Sequence, residues 1–453
     1  MKHIEQILIS VLLFWSSALG AQDARQLISE NPDRAAGNMH SYEFLPYQDT
    51  RSPKGYKPVY ISHYGRHGSR HDMSTATCEK TLGLFQKADS LNQLTPAGKE
   101  LMEQVRIMAD EHVGMGGELS PRGGREHEQL ATRMADRFPS VFGKGKKVSA
   151  ISSTAERCIN SMGYFMSSLK GRFPGLEVEM TTGERYAPII RLTSGTPANM
   201  QVMDGNGGGN RGGNGGRGGN GGGRGPQQNA LQGDFSAFMG KVFVNPDRIQ
   251  AKDDIVRNIF KLGGLCQDLD FLGLDMYSFF TEDELMSLWE QDNDAIYDRW
   301  GNSIENGYSK AITARPLLND IIEKADAALE SGQTAADLRF GHDMSYMALL
   351  SLLGIDADGG QRFRSNEAHN SWYAFQIVPT AANLQIIFYT AKGKDTLFKM
   401  LRNEKEISIP SLSPVSGPYY RWSDFKEAFS PKEEFSLDFD KDNFIALKKT
   451  VNT

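Results

Sequence analysis

The sequence predicts an α/β protein: a three-layer α/β domain with a mixed, mostly parallel sheet, plus an inserted, mostly α-helical cap. Short runs rich in β-branched and aromatic residues alternate with amphipathic helical periods over the first 190 residues and again after residue 331. Between residues 191 and 330 the pattern turns mostly helical. Hydrophobic residues make up 39% of the 453-residue chain, which suits a buried core rather than a disordered chain.

Taken in order, Lys2 and the apolar run 7-ILISVLLFWSSALG-20 open the chain, and Ala21 follows. A positive start, an apolar core and small residues at its end predict a signal peptide over 1–20, cleaved near Gly20/Ala21, and export to the periplasm or the medium. The run is shorter than the ~20 residues that span a bilayer, and no later segment reads as a membrane anchor. Residues 57-KPVYISHY-64 alternate as a strand does, until Gly65 and Gly68 interrupt them. The segments 94-LTPAGKELMEQVRIMADEH-112 and 119-LSPRGGREHEQLATRMADRF-138 each set Thr or Ser before Pro, the cap and first turn of a helix.

A second strand, 147-KVSAISSTA-155, feeds a helix over 156–171, and a third, 336-ADLRFGHDM-344, runs into an apolar helix over 345–355. Late in the chain, 372-WYAFQIVP-379 and 383-NLQIIFYT-390 predict two strands joined as a hairpin. Helical periods over 252–272, 282–297 and 314–330 define the cap, placed at 191–330 between a first part of the α/β domain at 21–190 and a second at 331–453. Within the cap, the stretch 205-GNGGGNRGGNGGRGGNGGGRG-225 carries glycine at a density that cannot offset its ordering entropy, and so predicts a flexible loop. Arg211, Arg217 and Arg224 charge it positively, which leaves contact with a polyanion as the alternative to a plain insertion. The formal charge of −6 for the whole chain argues against wholesale nucleic-acid binding. Cys78, Cys158 and Cys266 are odd in number and lack zinc spacing, so at most one internal bridge forms; Cys158, in an apolar helical run, reads as a buried free thiol.

The stretch 59-VYISHYGRHGSRHD-72 gathers His63, His67 and His71 at intervals of four, with Arg66 and Arg70 among them. On a helix those imidazoles would share one face and suit a metal. Strand-like residues at His63, two glycines and two cations all oppose that reading, and no metal or cofactor is expected. An anion fits better. Guanidinium forks match phosphate oxygens, and backbone N–H groups at a helix start would add to the site. The arginines should also depress the pKa of His67 and keep it a neutral nucleophile. Arg157 follows the second predicted strand, and His342 and Asp343 follow the third. Strand ends on one edge of an α/β sheet converge on a crevice. There His342 adds a donor, and Asp343 a carboxyl group whose proton a bound phosphate would hold.

These residues make the sequence familiar. The phrase 66-RHGSR-70, the later Arg157 and the distant His342-Asp343 pair together resemble the histidine phosphatase superfamily, in the branch of acid phosphatases, phytases and multiple inositol polyphosphate phosphatases. The motif RHGxRxP aligns with Arg66, His67, Gly68 and Arg70, the third arginine falls on Arg157, and the HD pair falls on His342 and Asp343. The phrase 119-LSPRGGREHEQLATRM-134 looks like the helix after the motif. Residues 57–190 and 335–390 carry the likeness.

The resemblance implies that His67 becomes a phosphohistidine, that Arg66, Arg70, Arg157 and His342 hold the phosphoryl group, and that Asp343 protonates the leaving oxygen. His71, or Asp72 one position further, stands where the motif has proline. His71 reads as a rim residue and His63 as a satisfied strand histidine. Inositol polyphosphatases commonly carry HAE where this chain has His342-Asp343-Met344, yet 153-STAERCINSM-162 and 377-IVPTAANLQIIFY-389 are similar to that group. The expected function is an exported phosphomonoesterase acting on small organic phosphate esters, inositol polyphosphates such as phytate first among them, with no nucleic-acid partner. A broad-specificity acid phosphatase or phosphotransferase is the alternative within the class. A non-catalytic phosphate- or polyanion-binding protein is the alternative outside it.

Overall fold

In the computed structural model, which describes residues 23–191 and 230–430 and the strands Leu437–Asp440 and Asn443–Leu447, the main sheet is mixed. The predicted signal peptide at 1–20 and the Gly-rich stretch at 205–225 lie outside the described residues. In chain order the described elements that matter here are α1 (Ala24–Glu30), β1 (Lys57–Arg66), α2 (Ala76–Ser90), α3 (Pro96–Glu111), α4 (Pro121–Arg137), β2 (Lys147–Ser152), α5 (Glu156–Arg172), β3 (Glu177–Thr182), α6 (Ser236–Val242), α7 (Lys252–Cys266), α8 (Glu282–Trp300), α9 (Arg315–Ser331), β4 (Thr334–Gly341), α10 (Asp343–Leu353), β5 (Asn383–Thr390), β6 (Leu397–Arg402), β7 (Lys405–Ile407), β8 (Tyr420–Arg421) and α11 (Trp422–Phe429).

The strands lie in the order β3-β2-β4-β1-β5-β6-β7, with β8 on the far side of β6. The block β3-β2-β4-β1 is parallel, while β5 runs against β1 and β6 against β5. β4 therefore sits between β2 and β1, and its register opposes Phe340 to Ser152 and Gly341 to Arg66. The carboxyl ends of three strands far apart in sequence are level and adjacent.

Alternation along β1 assigns the two faces. Tyr60 and Tyr64 point to a core with Leu317, Leu318 and Ile321 of α9 and Leu350 of α10. Ile61 points to the opposite core with Leu130 and Met134 of α4 and Phe165 of α5. Helices thus cover both faces of the sheet, and this is the predicted three-layer α/β architecture. A third core joins α1, α2, α3, α6, α7 and residues 276–289 into a helical layer. Apolar packing there draws on α2 and α3, which precede residue 191, whereas α9 packs on the sheet. The predicted caps form: Thr95 accepts from the Gly98 amide at 3.0 Å and Ser120 from the Gly123 amide at 3.2 Å.

The predicted hairpin does not form. Residues 372–379 make only the helical turn Ala374–Ile377, and β5 pairs instead with β1 and β6. A short apolar run buried on all sides carries no period that separates strand from turn. Its backbone is satisfied without a strand partner, because the Asn293 side chain donates to the Trp372 carbonyl and accepts from the Ala374 amide. The helix predicted over 252–272 stops at Cys266, and the bend after it turns Gln267 and Asp268 toward the first histidine motif. All three cysteines are buried free thiols, so no bridge joins Cys78 to Cys266. Among the described residues, no helix is long and apolar enough to cross a membrane.

Candidate active site

Arg66 ends β1, His342 follows β4, and Arg157 is the second residue of α5, just past the three-residue loop that leaves β2. The rings of His67 and His342 lie 5.8 Å apart, centroid to centroid, at 73°. Arg66 Nη2 is 3.0 Å from Asp343 Oδ2, and Arg157 Nη2 is 3.4 Å from His342 Nδ1. Arg66 and Arg70 both reach Met39 Sδ, with their Nη2 atoms at 3.9 and 3.8 Å, so all six residues expected at the site lie together.

The fold fixes the His67 loop from behind. Gly68 abuts Gly123 of α4 so closely that a Cβ on Gly68 would stand 2.6 Å from the Gly123 carbonyl oxygen, and one on Gly123 would stand 2.2 Å from the Ser69 carbonyl oxygen. Both positions exclude a side chain. Glu126, one turn along α4, accepts from the Ser69 amide and hydroxyl, each at 2.8 Å, and from the Tyr42 amide at 3.0 Å. Thr380 Oγ1 donates to it at 3.2 Å. Asp268 accepts from Ser41 Oγ at 2.8 Å; burial first, and the Glu126 carboxylate second, push its pKa up to about 7.

The predicted helix-start amides do not serve an anion. The Arg66, His67, Gly68 and Ser69 amides are all spent, on the Ala382 carbonyl, the Gly341 carbonyl, Ser161 Oγ and Glu126 respectively. α2 begins only at Ala76. What remains is guanidinium. The Nε groups of Arg66, Arg70 and Arg157 are all buried without a hydrogen-bond partner, a cost that an anionic ligand would relieve.

His67 is 3% exposed, and its Nδ1 is 2.9 Å from the Gly68 carbonyl oxygen. That contact assigns the proton to Nδ1 and leaves the lone pair on Nε2. Burial, then Arg157, Arg66 and Arg70, hold its pKa well below the ordinary imidazole value. The sequence predicted the direction; burial is the larger cause. His342, through burial and Arg157, is likewise pushed down, and its Nε2 lies 2.9 Å from Ser153 Oγ. Burial alone would raise the Asp343 carboxyl, but Arg66, His342 and Arg70 together bring it below the usual carboxylate range. Asn38 Nδ2 donates to the same Oδ2 at 3.2 Å. Asp343 thus shares Arg66 with any anion that enters.

The other histidines differ from expectation. His63, His67 and His71 share no helical face, since His63 lies within β1 and the other two lie in the loop beyond it. His71 is not on the rim: it is 0% exposed, with Nε2 3.0 Å from Glu111. Nor is His63 satisfied, because both its ring nitrogens are buried without a partner between Phe165 and Phe340.

Sequence reasoning missed Asn38, Ser153, Ser161, Glu126 and Asp268. Glu126 alone left a signal, since it falls on the apolar stripe of α4 that continues through Leu130 and Met134.

The mixed sheet, with this cluster across the ends of β1, β2 and β4, has the fold of solved multiple inositol polyphosphate phosphatase and phytase structures. No family model matches the chain. It is 25% identical over 303 residues to multiple inositol polyphosphate phosphatase 1 of Gallus gallus, covering 63% of this chain and 64% of the chicken protein. The human protein of the same name is 23% identical over 327 residues, with 65% of this chain and 62% of the human chain covered. The matches therefore span somewhat less than two thirds of these curated relatives. Among solved structures, the multiple inositol polyphosphate phosphatase of Bifidobacterium longum in complex with inositol hexasulfate superposes with a TM-score of 0.68 at 17% identity, over 88% of this chain and 97% of that one. The phytase from D. castellii gives 0.62 at 16% identity, over 92% and 89%.

Proposed function

We propose that the protein is a phosphomonoesterase that hydrolyses inositol polyphosphates through a phosphohistidine on His67. The observation that carries this reading is the set of three buried guanidinium Nε donors, unpartnered, around a neutral imidazole. In the first step His67 Nε2 attacks phosphorus and the bond to the ester oxygen breaks. Asp343 gives its proton to the departing alkoxide. In the second step water attacks the phosphohistidine, Asp343 takes the water proton, and phosphate leaves. Arg66, Arg70, Arg157 and His342 stabilise the charge on the transferring group in both steps.

Asp343 must carry a proton in the substrate complex although the free site favours its carboxylate. A phosphoryl dianion supplies the difference, because it competes for Arg66 and adds negative charge beside the carboxyl. The choice of inositol phosphates is supported by the names of the curated relatives. A panel of phytate, aryl phosphates and sugar monophosphates, run on the wild type and His67→Ala, tests it. Preference for phytate, lost with His67, is the expected result. Equal rates on every ester would point to a broad acid phosphatase, and phosphate binding without turnover would overturn the enzymatic reading.

A further inference from the structure

Counted from Arg66, the proline of RHGxRxP falls on Asp72, and the structure gives that aspartate work that proline could not do. The peptide unit joining His71 to Asp72 is held at both ends. Its carbonyl oxygen accepts from Arg70 Nη1 at 2.7 Å, and its N–H donates to His112 Nε2 at 2.9 Å. His112 in turn donates from Nδ1 to the Met108 carbonyl at 2.7 Å, so both ring nitrogens of the neutral imidazole are used. The Asp72 carboxylate makes a second anchor, 3.0 Å from Lys261 Nζ, with the Met73 amide donating to it at 2.8 Å.

These anchors come from the helical layer. His112 caps the end of α3, and Lys261 projects from α7. The next residues complete the clamp: the His71 amide donates to the Glu118 carbonyl, and the Gly117 amide to the Asp72 carbonyl. Because a peptide unit is planar and stiff, fixing its N–H fixes the direction of its carbonyl. That carbonyl holds Arg70 Nη1, while Nη2 has only the long contact to Met39 Sδ at 3.8 Å and Nε is unpartnered. Proline at position 72 would have no N–H and no carboxylate.

Resting on the phosphatase reading above, we infer that Asp72 is a positioning residue: with His112 and Lys261 it ties the helical layer to Arg70 and sets that guanidinium for the phosphoryl group. The inference explains why this chain departs from the motif. It also means that restoring the motif residue should harm this protein.

The test compares Asp72→Pro, Asp72→Ala, His112→Phe, His112→Gln and Lys261→Met for turnover of phytate, inhibition by inorganic phosphate, and melting temperature in phosphate-free buffer. Asp72→Pro and His112→Phe should each weaken phosphate inhibition and lower kcat/KM by about tenfold or more, as loss of an orienting hydrogen bond implies. His112→Gln, which keeps an acceptor, should recover most of the loss. Asp72→Ala and Lys261→Met should show smaller effects, the Lys261 change adding little in the double variant, since both remove the same ion pair; Asp72→Ala also loses the Met73 amide contact. Wild-type phosphate inhibition in both Asp72→Pro and His112→Phe would overturn the inference. So would full additivity of the Asp72 and Lys261 changes, which the milder pair reports even where the proline variant fails to fold. A wild type without turnover or phosphate inhibition would remove the phosphatase reading itself, a result distinct from either.

Discussion

The proposed mechanism makes opposite protonation demands on His67 and Asp343, and their surroundings meet them differently. Burial and three arginines keep the His67 imidazole neutral well into the acid range. Asp343 is depressed in the free site, chiefly by Arg66 and His342 set against a burial effect of the opposite sign. Only the substrate's charge reverses that balance. The basic limb of kcat, which reports the substrate complex, should therefore lie at higher pH than the basic limb of kcat/KM, which reports the free protein. Both should fall toward alkaline pH, with the optimum on the acid side of neutral. Rates still climbing above pH 8 would contradict the role given to Asp343. Asp343→Asn should lower kcat by about 10²–10⁴-fold on an alkyl phosphate such as phytate, in line with the usual worth of a general acid. The loss should be far smaller on an aryl phosphate, whose leaving oxygen needs no proton. Parallel kinetics on the two substrates check this, and an equal loss on both would assign Asp343 to binding instead.

At the scale of elements, the site depends on α4 pressing against the histidine loop. Gly68 and Gly123 meet with no room for a methyl group, and Glu126 ties Ser69, Tyr42 and Thr380 to one carboxylate. Gly123→Ala should destabilise by about 1–3 kcal/mol, the usual cost of overpacking, and weaken phosphate binding at the same time. Urea unfolding with phosphate titration measures both; a variant that loses stability alone would show that α4 supports the fold but not the loop.

The same elements explain what was legible in the sequence. β1, β2 and β4 carry strong alternation or β-branched runs, and their ends carry chemistry, so six site residues could be named from local pattern and motif. The residues that hold these side chains in place could not. Asn38 sits in an irregular 3₁₀ segment broken at Gly37 and reaches Asp343 across 305 residues of sequence, a separation no local period encodes. The segment at 372–379 reads as a strand but forms a turn, because burial on every side erases the difference between the two. His71 and Asp72 looked like a blemish in a motif because their partners, His112, Glu111 and Lys261, lie on helices remote in the chain.

For the molecule as a whole, buried imidazoles tie stability to pH. Burial pushes His63 down to about 3, reinforced by His127 and Arg339, and pushes His127 down to about 3 against a weak opposing pull from the Arg66 backbone. In the unfolded chain both titrate near the ordinary value of 6.5. Their contribution is thus fully present above that pH and is lost as pH falls toward 3, by roughly 2 kcal/mol per histidine at pH 5. Urea midpoints at pH 7 and pH 5 should show the drop, and His63→Phe should narrow it. An unchanged gap in that variant would contradict the assignment. Inorganic phosphate should oppose the loss, adding about 2.7 kcal/mol at a hundred times its dissociation constant.

The proposed acid activity, which rests on His67 and Asp343, therefore pulls against acid stability, which rests on His63 and His127. Rapid quench of the wild type during turnover of a radiolabelled phosphate ester measures the central step directly. The expected result is an acid-labile, alkali-stable phosphate on His67 that forms within one turnover, disappears as phosphate is released, and is absent from His67→Ala. Turnover with no label on His67 at any quench time, or with label on another residue, would contradict it.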